Sequence, residues 1–265
     1  MSASLLRPKG KGNRLDTQRL DTRRTALLFG WFFVGTFICS IAAKVLFISG
    51  VGGSFSHLHY VSGTFSETKV QLGAILEFGL IVTNIATAVV IYPLVRRQSE
   101  KLALGYVTAR VMESVFILVG IMSIMSILSI NHAVAAANGD VTALTTQANS
   151  LAHTYDWTFL FGPGLVVGFG NGLILGYLMY KSGLMPRRLA MVGLVGGPLL
   201  IVSFVMILFG VYDNGSGPAG LMGLPEIVWE LSLCVYPIWK GFRASPITTT
   251  VDIREPAPTA SMVTV

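Results

Sequence analysis

The chain has 265 residues, of which 52% are hydrophobic and 12% charged, and its mean hydropathy of +0.67 excludes an ordinary soluble domain. A net charge of +6 would suggest nucleic acid in a soluble protein, but 16 of the 19 Lys and Arg residues fall in the two tails and every second gap between apolar stretches. Membrane topology accounts for that distribution, so no nucleic-acid partner is expected.

Residues 1–25 read as a basic cytoplasmic tail able to lie on anionic lipid, with seven Lys and Arg between Arg7 and Arg24. The first apolar stretch, 26–48, follows it. Its basic flank and Ser40-Ile41-Ala42 look like a signal peptide with a small-residue cleavage site, yet the apolar run continues through Val45-Leu46-Phe47-Ile48. A retained helix is expected, with Lys44 near its outer edge and free to snorkel.

A membrane-crossing helix needs about 20 apolar residues, and five further spans are predicted at 70–95, 102–130, 157–180, 189–212 and 222–240. Before the fourth, Val141, Leu144, Ala148, Leu151 and Tyr155 recur at helical spacing after Asn138-Gly139-Asp140. They predict an amphipathic outer helix lying along the interface. The last span contains Pro237 and is expected to be kinked or tilted, and Trp157, Tyr212 and Trp239 fall where an interfacial aromatic belt belongs. Residues 244–265, rich in Thr, Pro and Ala, read as a disordered cytoplasmic tail. The fold class is thus all-α: one polytopic helical bundle over 26–243, with about six transmembrane helices, both termini cytoplasmic and lipid as its main partner.

Charge placed in hydrocarbon costs several kcal/mol per group, of order 2.5–3.5 on insertion scales, and marks where chemistry is to be sought. Lys44, Glu77, Arg110, Glu113 and Glu230 qualify. Arg110 and Glu113 are three residues apart and share a helix face, and Glu77 and Asn171 are on spans that can reach the same layer. The expectation is an outer-half polar pocket of Glu77, Arg110, Glu113, Asn171 and Glu230 that binds or passes a small polar or amphiphilic ligand. The competing expectation is a buried network that only fixes helix register, as in a non-catalytic scaffold or sensor.

The four histidines, His57, His59, His132 and His153, all fall on the predicted outer side with Glu67, Asp140, Asp156 and Asp213. These are zinc-donor residue types, but their spacing matches no metal motif, and no cofactor is expected. His153, just before the fourth span, and Asp156 are the candidates for outer-face acid and base, or for metal ligands, if the protein is instead an intramembrane enzyme acting on lipid. No catalytic nucleophile is identified. Cys39 and Cys234 lie within spans and read as packing residues, as do Met112, Met122 and Met125. Gly164, Gly168, Gly172 and Gly176 form a small-residue ridge on the fourth span, whose partner is either the fifth span, through Gly193, Gly196 and Gly197, or a second subunit. Gly170-Asn171-Gly172 has no preceding strand and is no nucleotide loop.

Leu102-Ala103-Leu104, Arg110-Val111-Met112-Glu113, the run Leu175-Gly176-Tyr177-Leu178-Met179-Tyr180-Lys181-Ser182-Gly183 with Pro186-Arg187, and Glu230 ahead of Trp239-Lys240-Gly241 together resemble a bacterial membrane family known as domain of unknown function 4386. The resemblance covers most of 26–243. His153-Thr154-Tyr155 resembles a His-x-Tyr element of that family, whereas Asn171 stands where other members often have His. The resemblance implies a multi-pass protein of the bacterial cytoplasmic (inner) membrane and supplies no reaction.

Overall fold

The computed structural model describes residues 11–136 and 139–248, with side chains from Thr22 onward. The helices are α1 (Lys11–Gly50), α2 (Glu67–Val95), α3 (Glu100–Ala135), α4 (Val141–Phe159), α5 (Gly176–Ser182), α6 (Arg187–Leu208) and α7 (Gly217–Trp239). Two π-helical segments, Leu160–Val166 and Gly168–Leu175, join α4 to α5 without a break. Six helical stretches are long and apolar enough to cross a membrane: Thr22–Gly50, Glu67–Val95, Glu100–Ala135, Val141–Ser182, Arg187–Leu208 and Gly217–Trp239. The chain is therefore an all-helical multi-pass membrane protein.

Helix ends follow local chemistry. The Ser99 hydroxyl accepts the Leu102 N–H at 3.4 Å and the Asp140 carboxylate accepts that of Thr142 at 2.9 Å, so α3 and α4 start on capped N-termini. Gly183 takes the left-handed conformation (φ +71°) that stops α5, and Pro186 opens α6.

The six spans stand in chain order around a ring, each against the next, and α7 closes it by packing on α1. Apolar side chains such as Trp31, Ile38, Ile75, Phe78 and Met122 point outward to lipid. Polar side chains of the spans, including Glu77, Asn84, Arg110, Glu113 and Asn171, are buried inside. With no apolar force between helices in lipid, close packing and interhelical hydrogen bonds hold such a ring.

Two sequence expectations about the fold are corrected. The helix expected to lie along the interface over residues 141–156 is instead the first part of the fourth span. Its buried face of Ala148, Ala152, Tyr155 and Asp156 packs in the bundle beside α3, and no turn separates it from the π-helical segment that begins at Leu160. Of the tail expected to be disordered, residues 244–248 form a turn: Thr248 N–H donates to the Ser245 carbonyl at 3.0 Å, Ile247 is buried, and Arg97 donates to the Ile247 carbonyl at 3.1 Å. The basic tail is helical from Lys11, while residues 1–10 and 249–265 lie outside the described residues.

The structure also decides the partner of the glycine ridge, which the sequence leaves open between the fifth span and a second subunit. A Cβ on Gly172 would stand 2.4 Å from the Gly197 Cα, one on Gly168 would stand 2.9 Å from the Gly197 carbonyl, and one on Gly176 would stand 3.3 Å from the Leu194 nitrogen. The partner is thus the fifth span of the same chain, α6, which leaves these three glycines no free face for a second subunit. Gly164 takes no part and borders a cavity instead.

Gly172→Val should therefore cost at least the ~1–3 kcal/mol typical of overpacking. Gly220→Ala, where a Cβ meets nothing within 4 Å, should gain roughly 0.5–1 kcal/mol of helix stability. Thermal scans of detergent-purified protein at one fixed rate compare the two, and equal midpoints would refute the backbone contact.

Candidate functional site

The interior polar groups form two layers. The deeper one is built on α3, where the Arg110 guanidinium donates to Glu113 at 2.7 Å and to the Thr87 hydroxyl of α2 at 3.3 Å. The same guanidinium lies 5.0 Å above the Phe33 ring of α1. Across the ring, the Asn171 side-chain amide donates to the Glu230 carboxylate, joining the π-helical part of the fourth span to α7. Arg110, Glu113 and Glu230 border a cavity of about 90 Å³ together with Thr36, Ser40, Asn84 and Pro163. Four of the five expected pocket residues thus belong to one layer.

Glu77 does not join them. Its carboxylate accepts the Tyr155 phenol at 2.6 Å, at the end of the bundle away from the termini. Lys44 is buried there as well, 3.6 Å from Asp156 and 4.7 Å above the Tyr155 ring. The snorkelling expected of Lys44 does not occur, because the chain leaving α1 folds back over this end as a strap. Gly52 and Gly53, both at positive φ, turn it, and Gly53 bridges to Leu58. The Leu58 N–H then donates to both Asp156 oxygens, at 3.2 and 3.0 Å. Tyr60 is buried under the strap, its N–H on Asn149 and its phenol on Asn131, both at 2.8 Å, and burial pushes that phenol's pKa up.

Beside this second layer lies a cavity of about 340 Å³ between the fourth span, α6 and α7. Lys44, Asp156, Ser56 and Asn214 give it polar groups at one side, and Phe159, Leu200, Phe204 and Ile227 give it apolar walls. Pro163 borders both cavities.

The remaining candidates sit apart. His153 is exposed and, among the described residues, makes no hydrogen bond, while the Asp156 oxygens face Leu58 and Lys44. His132 pairs with Glu67 at 3.1 Å, and His57 lies 3.7 Å from Asp156. Among the described residues, no three His, Cys, Asp or Glu side chains converge as a metal-ion site would require.

One interior residue escaped the sequence reading. Glu226 is only 3% exposed, and neither carboxylate oxygen has a hydrogen-bond partner among the described residues. Its signal was its position one helical turn before Glu230 inside an apolar window. Asn84, whose side-chain nitrogen is likewise buried without a partner among the described residues, is a second.

The family model for a domain of unknown function, DUF4386, matches residues 28–241, a range that takes in both layers and both cavities. The chain belongs to this family. No curated protein and no solved structure matches it. Membership brings no reaction with it, so any functional reading rests on the geometry of this chain.

Removing one partner of a buried pair leaves the other charge uncompensated, at about 3–5 kcal/mol. Arg110→Gln and Glu113→Gln should each lower stability on that scale, and the double variant should lose much less than the sum. Additive losses in the same thermal scans would show that the pair is not coupled.

Proposed function

We propose that this protein binds, and passes into or through the bundle, a small amphiphilic molecule taken up at the end opposite its termini. The observation that carries the reading is the cavity of about 340 Å³ with a polar side at Lys44 and Asp156 and an apolar side at Phe159, Leu200, Phe204 and Ile227. Its size is that of small-ligand pockets, which run from about 300 Å³ upward and are mostly apolar with a few placed polar groups. A polar head would meet the Lys44–Asp156 pair and an apolar body would lie between α6 and α7. The basic residues at the terminal end, Arg96, Arg97, Arg187, Arg188, Lys240 and Arg243 among them, support an orientation with both termini in the cytoplasm and the cavity facing the outer side.

The few polar groups beside apolar walls suit recognition of an amphiphile. Residues deeper in the bundle extend the route. Pro163 stands between this cavity and the Arg110 layer, so a ligand, or the water that accompanies it, adjoins the second chamber.

The floor of the cavity offers a direct test. A Cβ at Gly223 would meet only Leu200, at 3.9 Å, so the side chain of Gly223→Phe starts from an unobstructed Cβ at the cavity wall. Fatty amines, fatty acids and lysophospholipids are screened against purified protein for thermal stabilisation, where a ligand at a hundred times its Kd adds about 2.7 kcal/mol. At least one class should stabilise the native chain and fail to stabilise Gly223→Phe, whose own midpoint stays near that of the parent. Equal stabilisation of both, or none of either, would remove the cavity as a binding site.

A further inference from the structure

We infer that Glu226 is a proton-binding carboxyl that, with Glu230, makes a protonatable site within the membrane-spanning core. Charge and hydrogen-bond accounting lead there. Among the described residues the deeper layer holds one cation, Arg110, and its guanidinium is in contact with Glu113 at 2.7 Å. Glu230 takes the side-chain amide of Asn171. Glu226 makes no ion pair and, although it is buried, neither of its oxygens has a hydrogen-bond partner among the described residues. Asn171 Oδ1 is a further buried acceptor without a donor in the same layer.

An ionised carboxylate is strongly disfavoured in such a place, whereas the neutral acid is tolerated. The acid hydrogen also supplies the donor that this set of acceptors lacks. Glu226 and Glu230 are one turn apart on the same face of α7 and share the site. One guanidinium and one further carboxyl face the pair. α3 contributes Arg110 and Glu113, α7 itself contributes Cys234, and the fourth span contributes Asn171, which does not titrate. From α6, Gly196 comes close, since a Cβ built on it would stand 2.8 Å from a Glu226 oxygen. From α1, Thr36 and Ser40 border the chamber.

Gly223 and Ile227, which flank Glu226 in sequence, border the large cavity, and Glu230 borders the small one. Glu226 thus lies between the two spaces on α7.

The inference goes beyond ligand binding, and its test uses no ligand, so either can fail without the other. Infrared spectra of the full-length protein in detergent at neutral pH should show the C=O stretch of a protonated carboxyl. That band should shift in D2O while circular dichroism shows the helices intact. Glu226→Gln should remove it, Glu226→Asp should move it, and Glu113→Gln should leave it in place. Absence of the band from the native chain would overturn the inference even if Glu226→Gln fails to fold. So would a band that survives Glu226→Gln unchanged, which would assign the proton to another buried acid such as Glu77.

Discussion

The backbone contact between Gly172 and Gly197 sets how the rest of the interior is arranged. α6 is bare on the neighbouring face as well, since Gly193 lies against the Trp229 ring and Gly196 against the backbone of Glu226. A helix without side chains on two faces is a thin spacer, and α7 reaches the fourth span past it. Trp229 Nε1 accordingly donates to the Asn171 carbonyl at 2.9 Å, and a Glu226 oxygen comes close to Gly172. In lipid there is no apolar driving force between helices, so a seam of small residues and the hydrogen bonds it permits decide which helices meet. Six glycines and Pro163 between Gly162 and Gly176 also explain why this span is π-helical. Proline removes one N–H from the ladder, and glycines resist the wider turns least. The carbonyl that Trp229 finds at Asn171 lies within that stretch.

Arg110 performs the matching task on the other side of the ring. Its single guanidinium reaches its own helix at Glu113, α2 at Thr87 and the Phe33 ring of α1. Three helices are thereby keyed to one depth. A buried ion pair adds little net stability compared with well-packed apolar side chains, but its loss from one partner is costly, which makes it a device for register. Structural and functional readings of this pair are therefore compatible. Arg110 and Glu113 hold the chamber wall, and the acids not needed for that task are those on α7.

The spans, the basic end and the Arg110–Glu113 pair were all legible in the sequence, because hydropathy, the distribution of Lys and Arg and a three-residue spacing each act within a single helix. Contacts that cross from helix to helix were not. Glu77 and Arg110 sit on neighbouring spans, and only the vertical offset of α2 against α3 decides that Glu77 meets Tyr155 instead. Lys44 has the sequence position of a snorkelling residue, but the Gly52-Gly53 turn brings a strap over it, and a turn's direction is a tertiary fact. The glycine ridge was visible, whereas its choice of α6 over a second subunit depended on the complementary glycines facing it. Glu226 was visible as the i−4 neighbour of Glu230, yet its isolation emerges only once Arg110 is seen in contact with Glu113.

Pro163 links the two layers mechanically. It borders the large cavity and the small one, and it lies in the first π-helical segment, where its ring nitrogen can donate no hydrogen bond. The wall between the cavities is thus a turn of the fourth span that lacks one backbone donor. Just before it, Tyr155 and Asp156 tie the span to Glu77, Lys44 and the strap, and just after it Asn171 ties it to Glu230 and Trp229. The turn at Pro163 is thus the stretch of backbone that the two layers share, held through Tyr155 and Asp156 on one side and through Asn171 on the other.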